Sequence, residues 1–187
     1  MNLVSEFEAN EREYIRQMVL IHVQTKKYLL IAEEVAEQGE LFLQPLKEQR
    51  DAFDHLMRCY CVDVIDNDMD EESKFTYIDK NLDKAFGHVF RAFFDTADWL
   101  TYLLRKWIRT KLVDAGEERC RKEFDDYEKI KKMINDIPLI VAELRNKKDV
   151  GKMNSKNESA VSEIEEYVRI LDSLIELRKR IIISLGP

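Results

Sequence analysis

Two stretches hold the side chains with which this chain could do chemistry. Gln49–Arg58 reads Gln-Arg-Asp-Ala-Phe-Asp-His-Leu-Met-Arg, and Lys84–Tyr102 carries His88, Arg91, Asp95 and Asp98 in an otherwise apolar, aromatic-rich segment. Together they contain two of the chain's three histidines. An imidazole takes up and releases a proton near neutral pH, which suits it to general acid or base work. A guanidinium presents a planar fork of N–H donors that matches two oxygens of a carboxylate or phosphate. On a helix, Asp51 lies one turn before His55 and Arg58 one turn after it, so both can reach the ring. Proton transfer beside an anion-binding cation is the chemistry these residue types allow.

Both stretches must be carried by helices. Tyr14, Met18, Ile21, Thr25, Tyr28, Ala32 and Val35 recur at alternating spacings of four and three, one stripe of a long amphipathic helix. Ser5 and Glu8 form a capping box at its start, and Gly39 marks its end. His22 lies beside the stripe and reads as an ordinary packed or partly exposed histidine. Pro45 opens a second helix. Its expected core face is Leu46, Gln49, Phe53, Leu56, Met57, Tyr60 and Val64, with Asp51, His55, Arg58 and Val62 on the other side, flanked by Ala52 and Cys59. The third and longest helix runs from about Glu72 to Val113, on the order of 60 Å. Leu82, Phe86, Val89, Phe90, Phe93, Ala97, Leu100, Leu104 and Trp107 form its core stripe. Lys84, His88, Arg91, Asp95, Asp98, Tyr102, Lys106 and Arg109 lie opposite, and Gly87 suggests close approach of a neighbouring helix.

Beyond Ala115-Gly116 a charged helix carries Cys120, Phe124, Tyr127 and Ile134 on one side. Pro138 is expected to interrupt it, with Asp136 capping a short new helix through Leu144. Residues 146–157 read as a mobile loop. The last helix carries Val161, Ile164, Val168, Leu171, Ile175 and Ile182 on a stripe broken at Arg178. No strand-like alternation and no internal repeat occurs. The expected fold is all-α, an up-and-down bundle of long antiparallel helices in a single domain over residues 1–187.

Composition narrows the function classes. Five glycines, three prolines and hydrophobic content of 45% fit a helix-rich globular chain rather than a disordered one. The net charge of −7 argues against a general nucleic-acid coat while leaving room for a local basic groove. Met1–Asn10 is acidic without an apolar core, so no secretory signal is expected. No apolar run reaches the roughly 18 residues of a membrane span, so no membrane association is expected. Cys59, Cys61 and Cys120 lack metal-ligand spacing and read as reduced thiols of a cytoplasm-like compartment. Asp66, Asp68 and Asp70 superficially resemble a calcium loop, but its mid-loop glycine is missing and Tyr77 occupies the closing position. Asp51, His55, His88 and Asp95 lack the Glu-x-x-His pairing of a ferritin-like centre. No phosphate-cradling glycine loop, nucleophile elbow or zinc signature occurs, and no cofactor or metal is expected.

Arg50-Asp51-Ala52-Phe53-Asp54-His55 has the form arginine, polar residue, three others, histidine. This resembles the signature of the HEPN superfamily, helical domains of toxins, CRISPR effectors and antiviral nucleases, many of them metal-independent RNases that act as dimers. The resemblance implies that Arg50 holds the scissile phosphate, that His55 serves in acid–base transfer, and that Asp51 replaces the orienting polar residue. It also implies a second copy of the chain completing the site. RNA supplies its own nucleophile, the 2′-hydroxyl, so such a site needs only a proton shuttle and a cation. If the second and third helices pack antiparallel, Arg58, His88, Arg91 and Asp95 are the supporting residues.

Two other readings stay open. Arg105, Lys106, Arg109 and Lys111, followed by Arg119, Arg121, Lys122, Lys129, Lys131 and Lys132, could hold RNA or an acidic partner. Glu117, Glu118, Glu123, Asp125 and Asp126 lie among them and favour a neutralised, solvated face. A non-catalytic bundle that mediates assembly, as an antitoxin, adaptor or regulatory subunit, is the alternative to the enzyme.

Overall fold

A computed structural model describes residues 9–36, 42–65, 68–150 and 159–186. Among these, every regular element is a helix: α1 (Ala9–Val35), α2 (Gln44–Tyr60), α3 (Val62–Ile65), α4 (Glu71–Ala115), α5 (Glu117–Glu123), α6 (Tyr127–Val150) and α7 (Ser159–Leu185). The chain is an all-α bundle, as the periodicity predicts. Ser5, Glu8 and Gly39 lie outside the described residues, as do 151–157 of the expected loop, whereas Asn146–Val150 continue α6. No helix among the described residues is long and apolar enough to cross a membrane. The residues group into two compact units, 1–30 with 41–96 and 31–40 with 97–187.

In the first unit, Tyr14, Met18, Ile21 and Tyr28 of α1 are buried, as are Leu82, Phe86, Val89, Phe90 and Phe93 of α4. Tyr14 meets Phe86 edge-on and Tyr28 meets Phe93 likewise, with ring centroids 6.0 and 6.3 Å apart. Such pairs add roughly 0.5–1.5 kcal/mol beyond the area they bury. Thr25, buried in the same stripe, donates its hydroxyl to the Ile21 carbonyl at 2.8 Å and so leaves no polar atom unsatisfied. The expected acidic loop ends in a helix cap, because Asp70 Oδ1 accepts the Ser73 amide at 2.7 Å.

α2 faces the opposite way from the sequence expectation. Pro45, Ala52 and Cys59 are its buried residues, and Val62 of α3 continues that side. Phe53 is 60% exposed and Val64 83%, and Leu46, Met57 and Tyr60 are exposed as well. The cause is the surface α2 meets. α4 presents Asn81, His88 and Arg91, and only the Glu48–Ala52–His55–Cys59 side of α2 can answer them with hydrogen bonds. Ala52 leaves room for the two helices to approach. Polar groups taken from water without partners cost more than an apolar side chain left exposed. Glu48 meets His88 and Arg91, His55 meets Asn81, and Cys59 meets the Ile78 carbonyl, so α2 runs antiparallel to α4.

In the second unit, Leu100, Leu104 and Ile108 of α4 are buried along with Ile130, Ile134 and Ile137 of α6 and Tyr167, Leu171, Leu174 and Ile181 of α7. The α7 stripe thus runs through Tyr167, Leu174 and Leu177, with Val168 and Ile175 at its edge rather than its centre. Arg178, where the stripe was expected to break, lays its guanidinium over the Trp107 ring at 5.0 Å. Asp98 ties three helices together, accepting from Arg145 Nε at 2.7 Å and from the buried Tyr167 hydroxyl at 3.3 Å. α6 runs antiparallel to α4 and α7 parallel to it, an up-down-up order.

Pro138 does not interrupt α6, and Asp136 caps no new helix. Proline lacks the N–H that would bond the carbonyl four residues back, that of Ile134. Arg105 of α4 supplies the missing donor, its Nε lying 3.3 Å from the Ile134 oxygen. The adjacent Arg109 donates to Asn135 Oδ1 at 3.0 Å.

Candidate acid–base site

Two turns of α2 and two of α4 assemble the site. Glu48 and His55 are seven residues apart, and so are Asn81 and His88, so each pair shares one helix face. The antiparallel crossing then stacks His55 on His88, with ring centroids 5.4 Å apart and planes 21° from parallel.

Each imidazole is held through its Nδ1. His55 Nδ1 lies 2.9 Å from Asn81 Oδ1. The Asn81 amide nitrogen donates to the Tyr77 carbonyl at 2.9 Å, which turns the amide oxygen toward the ring. An amide oxygen only accepts, so His55 Nδ1 carries the hydrogen and Nε2 is the basic nitrogen of the neutral ring. His88 Nδ1 lies 2.8 Å from Glu48 Oε2, and Arg91 Nε donates to the same oxygen at 2.9 Å. Arg91 Nη2 is also 2.8 Å from His88 Nδ1. One ring nitrogen cannot both donate to a carboxylate and accept from a guanidinium. We assign the hydrogen to Nδ1, facing the charged carboxylate, which only accepts; the Arg91 Nη2 contact is then a close approach and not a hydrogen bond. His88 therefore also points Nε2 away from its anchor.

Charge is balanced locally. Burial pushes the Glu48 carboxyl up, but the hydrogen bonds from His88 and Arg91 together outweigh it and hold the group below the usual carboxylate range. Asp51 is held low chiefly by its hydrogen bond from Arg50, with the positive charge of Arg50 adding to it. Arg50 donates to one Asp51 oxygen twice, from Nε at 3.0 Å and Nη2 at 2.7 Å. Burial pushes the Cys59 thiol up to about 11, and the group donates to the His55 carbonyl at 3.3 Å, so it packs rather than reacts.

The structure brings Asp51, His55, His88 and Arg91 together. Arg50 reaches the cluster only through Asp51, and its side chain is 73% exposed. Arg58 turns to Asp54, an ion pair of 2.8 Å one turn back on α2. Asp95 is half-buried one turn beyond Arg91. Glu48 and Asn81 were missed by sequence reasoning, although the seven-residue spacings Glu48–His55 and Asn81–His88 carried a signal for both. Gly87 does not serve a neighbouring helix. A Cβ there would lie 3.3 Å from Arg91 Nη1, so the glycine makes room for the guanidinium on its own helix.

Elsewhere, part of the basic stretch is paired with carboxylates. Arg121 pairs with Glu117 at 2.6 Å and Glu128 at 2.5 Å, and Lys131 approaches both carboxylates. Arg180 forks onto Asp126. A shallow depression of about 230 Å³ between Arg121 and Lys129 is lined by these paired charges. The three cysteines are free thiols, and no group of three or more His, Cys, Asp or Glu among the described residues is placed to hold a metal ion. No protein-family model, curated protein or solved structure matches this chain.

Proposed function

We propose that the His55–His88 cluster cleaves RNA by metal-independent acid–base catalysis, as the HEPN resemblance of Arg50–His55 implies, in a cytoplasmic toxin or antiviral defence role. The observation that carries this reading is the stacked pair of imidazoles, each anchored through Nδ1 with Nε2 turned outward. His55, anchored by a neutral amide, is the base that takes the 2′-hydroxyl proton. The 2′-oxygen attacks the adjacent phosphorus, and the bond to the 5′-oxygen breaks. His88, whose second proton is compensated by the Glu48 carboxylate, protonates that leaving oxygen. The products are a 2′,3′-cyclic phosphate and a 5′-hydroxyl end.

The test is cleavage of varied RNAs in EDTA by wild type, His55→Ala, His88→Ala and Arg50→Ala. Each histidine substitution is expected to slow cleavage by at least ~100-fold. Folded wild type that leaves every RNA intact, or histidine variants as active as wild type, would sink the catalytic reading.

The outward stripe of α2 favours a second reading, a protein-assembly role in which a second copy of the chain is the first partner. Leu46, Phe53, Met57, Tyr60 and Val64 expose apolar surface on the order of 500 Å², approaching the ~800 Å² per partner of a stable interface. Light scattering coupled to gel filtration of wild type and Phe53→Asp tests it. A dimer that Phe53→Asp converts to monomer supports this role, and a wild-type monomer at high concentration refutes self-association.

A further inference from the structure

The guanidinium that receives the phosphodiester is, we propose, Arg91 rather than Arg50 of the sequence motif. This rests on the proposed RNA reading of the same site and alters which cation does the binding.

The donors of the two arginines are committed differently. Arg50 spends Nε and Nη2 on one Asp51 oxygen, so that carboxylate orients it and it reaches the histidines only through Asp51. Arg91 turns the same edge to the histidine cluster itself, with Nε donating to Glu48 Oε2 at 2.9 Å and Nη2 lying 2.8 Å from His88 Nδ1. Its Nη2 faces a ring nitrogen whose hydrogen is directed at Glu48, and among the described residues Nη1 meets no acceptor. The outer edge of the Arg91 fork is therefore open, and its side chain is 47% exposed. A Cβ at residue 87 would lie 3.3 Å from Nη1, so the glycine spares the guanidinium a close contact there.

Position and charge agree with this assignment. The Arg91 fork adjoins His88, so an anion seated on it lies beside the ring that must donate a proton to the leaving oxygen. When His88 holds its second proton, Glu48 cancels one of the two cations, Arg91 and His88. Arg50 and Asp51 cancel each other. One positive charge is left, the complement of one phosphodiester.

The test uses a fully 2′-O-methylated RNA oligonucleotide, which can bind but cannot be cut. Its affinity is measured by fluorescence anisotropy across a salt series for wild type, Arg91→Gln, Arg91→Lys and Arg50→Gln, each checked for folding by circular dichroism. Arg91→Gln is expected to weaken binding at least ~10-fold and to lower the slope of log affinity against log salt by about 1. Arg91→Lys should recover part of the affinity, because it restores the charge without the fork. Arg50→Gln should stay within about twofold of wild type. The inference is overturned if Arg50→Gln costs as much as Arg91→Gln, if Arg91→Gln binds like wild type, or if wild type does not bind. Binding through Arg91 with no cleavage of unmodified RNA would keep the anion site and remove the catalytic reading. Unimpaired cleavage by Arg91→Gln would do the reverse.

Discussion

Asn81 does for His55 what Glu48 does for His88, and the two anchors differ in charge. Replacing Asn81 by Leu leaves the His55 Nδ1 hydrogen facing an apolar group, which costs roughly 1–3 kcal/mol. It also frees the ring to turn or change tautomer. The expected outcome is a lower thermal midpoint together with RNA cleavage reduced beyond what the lost stability explains, measured well below the melting range. Glu48 makes the pH dependence. Its carboxyl sits below its usual value of 4.5 in the folded chain, so the unfolded chain binds more protons as pH drops through this range. The stabilisation is fully present above about pH 4.5 and is lost as pH falls through the folded value. Urea midpoints of wild type should decline there more steeply than those of Glu48→Gln, whose neutral amide has no such proton to gain. Equal slopes for the two proteins would remove Glu48 as a contributor.

Helix α6 shows how an element keeps a residue its own backbone cannot accommodate. The proline ring takes one hydrogen bond out of the helix, and a side chain from α4 replaces the donor. Arg105→Met is expected to cost about 1 kcal/mol, because the Ile134 carbonyl loses its substitute donor. Pro138→Ala restores a backbone N–H at that place. In the double variant the cost of removing Arg105 should then shrink, a coupling that a double-mutant cycle on urea midpoints reads directly. Additive effects would mean that Arg105 and Pro138 act independently. For α2 the expectation runs the other way. Phe53 is exposed, so Phe53→Asp should change the monomer's stability by no more than ~0.5 kcal/mol even if it abolishes self-association.

At the scale of the molecule, both compact units include a stretch of α4, and each carries a polar cluster of its own. The first gathers Glu48, Asn81, His88 and Arg91 around His55, and the second gathers Arg145 and Tyr167 around Asp98. On one strip of α4 the sequence placed His88, Arg91 and Asp98 together as a polar face, yet their roles separate. His88 and Arg91 belong to the proposed RNA site, while Asp98 is enclosed by its partners, with 15% of its side chain exposed. Asp98→Ala is therefore expected to lower the unfolding midpoint, reflecting a buried tyrosine hydroxyl and an arginine left without their acceptor. It should leave RNA binding by the folded protein unchanged. Loss of RNA binding with an unaltered midpoint would contradict the separation.

Sequence alone determined the helices and the apolar stripes of α1 and α4, because a 3.6-residue period is a local property that 11 to 18 residues already display. It also marked Arg50, Asp51, His55, Arg58, His88, Arg91 and Asp95 as candidates from their types and spacing, of which the structure gathers Asp51, His55, His88 and Arg91. It did not determine which way α2 turns. Hydrophobic spacing reports where the apolar side of a helix lies, but burial follows what the neighbouring helix offers. The hydrogen bonds that decided the matter join residues 19 to 43 positions apart. Glu48 and Asn81 became part of the site for the same reason, and Gly87 only because Arg91 folds back over it. Only the tertiary structure could bring a carboxylate, an amide and two imidazoles into one cluster, because only the crossing of two helices sets those distances.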